Sequence, residues 1–76
     1  MRRWKRRQAM EAADRLAHLL PHWIEHNESH AKQFEEWAEH ARVAGMAEVA
    51  DLIEAAARSM QQANAELATA RERLER

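Results

Sequence analysis

The 76-residue chain contains no cysteine, a single glycine (Gly45), a single proline (Pro21) and only four Trp or Phe side chains. The missing cysteines exclude a disulfide framework, a thiolate metal site and a cysteine nucleophile. Two punctuating residues cannot supply the turns that a sheet protein needs. No apolar run approaches the ~20 residues that span a bilayer. The N-terminus is basic but lacks the apolar stretch of a signal peptide, so a single small cytoplasmic domain is expected. What is abundant is helix-forming: seventeen residues are alanine, and Glu, Leu, Arg and Gln supply much of the rest.

The formal net charge of -1 conceals an uneven distribution. Arg2, Arg3, Lys5, Arg6 and Arg7 give the N-terminal tip a charge of +5, and the remaining 7 basic and 13 acidic residues leave a body of -6. Around Trp4, this tip suits nucleic-acid phosphates or an anionic membrane surface. The competing reading is a solubilising, frayed terminus, and the acidic body favours it. Met10 offers an alternative start, which would make the tip an upstream extension.

Gly45, preceded by Arg42 in a last helical turn, marks a turn near 43–47. Pro21 suits a first turn and disrupts a helix interior, so a break or kink is expected near Leu20. Residues 1–19 then form a basic helical extension and residues 20–76 a helical hairpin. Apolar spacing defines the faces. Leu16, Leu20, Trp23, Asn27, His30, Phe34, Trp37 and Ala41 alternate steps of four and three, as do Val49, Ile53, Ala56, Met60, Ala63, Leu67, Ala70 and Leu74. Such seams pack helices side by side at a shallow angle.

A short turn makes the two helices antiparallel neighbours, pairing positions whose numbers sum to about 90. Trp37 is then expected opposite Ile53, Phe34 opposite Ala56, His30 opposite Met60, and Asn27 opposite Ala63 and Asn64. The fold class is all-α. Two helices share only one contact line, and a core this thin supplies no more than ~3–5 kcal/mol. Self-association into a two-fold four-helix bundle, most simply a homodimer, is therefore expected.

The chemistry concentrates in Leu20–Ala31. His18, His22, His26 and His30 recur every four residues, a slowly spiralling row along one side of a helix. His40 falls at nearly the angle of His22. Imidazoles at i and i+4 can converge on one transition-metal ion, with the remaining ligands drawn from Glu25, a third histidine or a symmetry mate. His22, Glu25, His26 and His30 are thus the candidate metal ligands, and Zn, Ni, Cu or Fe would each suit neutral imidazole. The competing reading is a solvated row on a helix boundary.

Asn27 and His30, on seam positions, would form either a polar layer that sets register or part of a ligand site in a bundle core. A di-iron carboxylate site is not expected: no Glu precedes His40 by three residues, and the second helix has no histidine. No Gly-rich phosphate loop or triad-like serine is present either. A binding or structural role is expected rather than an enzyme.

The stretch His22-Trp23-Ile24-Glu25-His26-Asn27-Glu28-Ser29-His30-Ala31, followed by Phe34, Trp37-Ala38, Gly45, Val49-Ala50 and Ala63-Asn64, resembles a family of small uncharacterised α-helical domains. These share a His-Trp-x-Glu-His-Asn-x-x-His-Ala signature. The resemblance covers about Leu20 to Leu74 and omits the basic tip. It implies a stand-alone helical hairpin that leans toward metal handling, and brings no established activity.

Overall fold

The computed structural model describes residues 2–75, apart from the side chains of Arg2, Arg3 and Trp4. Part of the basic tip therefore lies outside the described side chains. Two helices, α1 (Arg2–Val43) and α2 (Ala47–Glu75), form an antiparallel hairpin 61 Å long.

The turn is built as its glycine requires. Gly45 adopts φ of 83°, and its N–H donates to the Arg42 carbonyl at 3.0 Å while the Met46 N–H donates to the Ala41 carbonyl at 2.9 Å. These two bonds are the Schellman closure of a helix C-terminus. Glu48 in the first turn of α2, and His40 with Arg42 in the last turn of α1, carry the charge signs that complement the helix dipoles.

Of the break or kink expected near Leu20, the break does not occur. α1 runs unbroken through Pro21 for 42 residues. Proline removes the N–H that would bond the Ala17 carbonyl, but Ala17 is exposed, so solvent reaches that oxygen. No secondary-structure boundary therefore separates an extension from a hairpin at residue 20. Instead, α1 outruns α2 at its N-terminal end: Leu16 and Leu74 are half-buried near the last paired level, and residues 5–12 are all exposed.

The register matches the expected sum of about 90. Arg42 bonds Asp51 and Glu54, Gln61 donates to Glu35, and Asn64 donates to the Ile24 carbonyl. The contact line itself differs from the expected seam. On α1 the contact line is Leu20, Ile24, Asn27, Ala31, Phe34, Ala38 and Ala41; on α2 it is Ala50, Ile53, Ala57, Met60, Asn64 and Leu67, with His30 and Ala63 of the expected seams half-buried beside it. Alternate positions of both seams are displaced by one residue: Ile24 replaces Trp23, Ala31 replaces His30, Ala38 replaces Trp37, Ala50 replaces Val49 and Ala57 replaces Ala56.

Alanine explains the displacement. Ala38 and Ala50 are wholly buried, and with Ala41 they form the tightest cluster, against which Ile53 packs. Small side chains let the helix axes approach closely, and dense packing without voids favours that line over one holding an indole. Trp37 therefore does not face Ile53. It stands 64% exposed, and Trp23 41%.

Candidate metal centre

The displaced residues share one side of the molecule. On each helix they precede the contact line by one residue, or 100°. Because antiparallel helices wind in opposite senses when viewed from one end, both sets fall on the same face. That face carries Leu19, Trp23, His26, His30 and Trp37 from α1, with Val49, Leu52 and Ala56 from α2. The residues that follow the contact line form the opposite face, which is polar. There Arg42 bonds Glu54 at 2.7 Å and Asp51 at 3.1 Å, and Gln61 bonds Glu35 at 3.1 Å. Those two carboxylates, Glu54 foremost, hold the Arg42 guanidinium above its ordinary basicity.

On the apolar face, helix periodicity stacks the histidines. The rings of His22 and His26 have centroids 6.2 Å apart and nearly parallel planes, those of His26 and His30 are 4.4 Å apart and edge-on, and Phe34 continues the ladder 6.0 Å from His30. His26 and His30 go further. Their Nε2 atoms are 3.0 Å apart, so one ring donates an N–H to the other. His40 lies against Trp37 instead, with centroids 4.9 Å apart, and His18 is exposed.

Of the four candidate ligands, the structure thus joins two. His22, Glu25, His26 and Ser29 line a shallow groove of about 250 Å³, and His22 and Glu25 stand on its exposed wall. Among the described residues, no three His, Asp or Glu side chains converge where a metal ion could be held.

The pair nevertheless fits a metal edge. Two nitrogens on a tetrahedral ion at ~2.0–2.1 Å lie about 3.3 Å apart, close to the 3.0 Å observed. Replacing the shared proton with a divalent cation would change the separation by only a few tenths of an ångström, but would turn both rings so that their lone pairs meet at a point beside the N–N line. The two nitrogens supply half of a tetrahedral shell.

The sequence reading missed two features of this region. It placed Trp23 and Trp37 in the hairpin contact, whereas they bracket the histidine pair on the open face. It set Asn27 opposite Asn64, in keeping with the observed register, but did not foresee that Asn64 Nδ2 donates to the Ile24 carbonyl at 3.0 Å, leaving its buried Oδ1 without a partner. No sequence signal distinguishes a backbone target from a side-chain one.

Among the described residues, no helix is long and apolar enough to cross a membrane. No curated protein and no solved structure matches the chain. One family model does, over residues 16–74, beginning four residues before the expected Leu20 and ending at the expected Leu74. This span coincides with the part of the hairpin in which both helices are paired, and it leaves out the overhanging basic end. The chain belongs to the family described as a domain of unknown function (DUF8180).

Proposed function

We propose that this chain is a small self-associating helical protein that takes up a transition-metal ion through its histidine row, for storage, delivery or sensing rather than catalysis. The observation that carries the reading is the 3.0 Å approach of the His26 and His30 Nε2 atoms. That separation is close to the nitrogen–nitrogen edge of a tetrahedral coordination shell. His22 and Glu25 line a groove with His26 but do not converge on the pair.

Zinc titration by calorimetry, on the wild type and on His26→Ala, tests it. Binding tighter than about 1 mM that the substitution weakens is expected. Binding weaker than that, or indifferent to the substitution, removes the metal reading.

A second reading has its own support. Asn64, bonded to the backbone of the opposite helix, sets register as buried polar groups do in helical bundles, and the open apolar face suits protein contact. On that reading the chain is a structural or interaction module, and the same titration separates the two. Contact with nucleic acid or anionic membrane through Arg2, Arg3, Lys5, Arg6 and Arg7 is a third use. It requires that deleting residues 1–8 lowers affinity for DNA or anionic vesicles at low salt.

A further inference from the structure

The displacement between the apolar seams and the hairpin contact has a direction. On α1 the seam from Leu16 to Ala41 is centred neither on the α2 contact line nor on the open face that carries Trp23, His30 and Trp37. It points between α2 and the open face, and the α2 seam through Val49 and Ala56 does the same. A helix in a two-helix hairpin needs its apolar centre aimed at its single neighbour. A helix in a four-helix bundle has a second neighbour roughly a quarter-turn away, and its apolar centre falls between the two. Both helices of this chain have the second pattern, and both lean to the same side.

We infer that a second copy of this chain covers the open face, and that the two copies together complete one metal centre from four histidine nitrogens, His26 and His30 of each. This rests on the metal reading proposed above and specifies its site. Three observations choose the occupant.

The donor set is half-built: two Nε2 atoms 3.0 Å apart, with no third donor from the same chain among the described residues. A two-fold axis supplies the missing pair, because it repeats whatever lies beside it.

Along α1 the face is also self-complementary. His26 and His30 lie two residues either side of Glu28, and Leu19 and Trp37 lie nine residues either side. An axis crossing α1 at the level of Glu28 sets α1 antiparallel to its copy. It places His26 opposite the partner's His30 and Leu19 opposite the partner's Trp37.

Finally, the area suffices. From residue 20 to the turn the face is about 36 Å long and about two helix diameters wide, roughly 700 Å² per copy. Stable interfaces bury about 600–1,000 Å² per partner. Leu19, Trp23, Trp37, Val49 and Leu52, all exposed in the single chain, provide apolar area for it. The polar face is already engaged in its own ion pairs and does not compete.

Two measurements on the full-length protein test the inference. Sedimentation at 5–50 µM as a rough working range should give a dimer, and zinc should saturate at one ion per two chains. Trp37→Glu places a charge on the open face without touching the Ala38 contact. It should remain as helical as the wild type, sediment as a monomer and bind zinc at least tenfold more weakly.

A wild type that stays monomeric with and without zinc overturns the inference. So does saturation at one zinc per chain, or Trp37→Glu binding zinc as the wild type does; each of these leaves the metal reading standing. A protein that takes up no zinc in any state overturns the metal reading itself, and the shared centre with it.

Discussion

Asn64 donates from Nδ2 to the carbonyl of Ile24 at 3.0 Å, tying the helices together across forty residues of sequence, while its buried Oδ1 meets no partner. The Ile24 carbonyl sits inside a helix and already accepts a bond from its own turn. The asparagine therefore adds an extra bond at the cost of one unsatisfied oxygen, a penalty of about 1–3 kcal/mol. Asn64→Leu removes that penalty, and its melting temperature should equal or exceed the wild type's. Asn64→Asp should fall by about 2 kcal/mol, because it brings a charge and no donor to the same place. Urea melts of the two variants check this opposition.

Trp37 and Ala38 are chain neighbours with opposite fates, one 64% exposed and the other fully buried. Ala38→Leu forces three more heavy atoms into a contact with no space and should cost about 1–3 kcal/mol at every protein concentration. Trp37→Ala should leave the helical content of the hairpin intact. Its effect on the melting temperature should grow with concentration only as far as the chains associate. Circular dichroism melts over a hundredfold dilution series, roughly 1 to 100 µM, distinguish the two behaviours.

Gly45 holds φ of +83° with nothing within 4 Å of where a Cβ would stand. The cost of Gly45→Ala is thus backbone strain alone, about 1 kcal/mol, with no steric clash to add. Gly45→Asn should recover part of it, since asparagine tolerates the left-handed region better than alanine. Thermal denaturation of both variants measures the difference.

Pro21 lies inside α1 and leaves the Ala17 carbonyl without its helical donor. Pro21→Ala should therefore stabilise the chain, by up to about 3 kcal/mol on the interior-helix scale. The gain should be visible as a higher urea midpoint with an unchanged slope.

Metal ligation requires imidazole nitrogen free of its proton, so protons and zinc compete for His26 and His30. The sign follows: added zinc should raise the melting temperature at neutral pH and lose that effect on acidification. At a hundredfold excess over the dissociation constant the stabilisation is about 2.7 kcal/mol. Scanning calorimetry at neutral and acidic pH, with and without zinc, reads it, and His26→Ala should remove it at neutral pH.

Much of the architecture was legible in the sequence. The helix-forming composition, the Gly45 turn and the antiparallel register were each readable from residue type and spacing, and Arg42 bonding Asp51 and Glu54 agrees with that register. Pro21 misled because local preference opposes a helix interior, while the chain on both sides continues the same apolar period and outweighs it. The tryptophans misled for a deeper reason. Periodicity reports the mean direction of an apolar face, and assigning that face to a particular neighbour requires knowing how closely the helices approach. Alanines at 31, 38, 41, 50 and 57 set that approach, and no count of large residues reveals it. The histidine row was legible as spacing, whereas the 3.0 Å convergence of two of its members was not, because it depends on ring rotation.

The overhang of α1 beyond the last turn of α2 carries a consequence for how the molecule opens. An unsupported helix of about a dozen residues is marginal in water, whatever its composition. Residues 5–12 have no second helix to lean on, while Ala38 and Ala50 are sealed at the opposite end. Protection against amide hydrogen exchange should therefore form a ramp along the chain. It should be lowest in the arginine-rich turns, rise past Leu16 where α2 begins to cover α1, and reach its maximum in the alanine cluster beside the Gly45 turn.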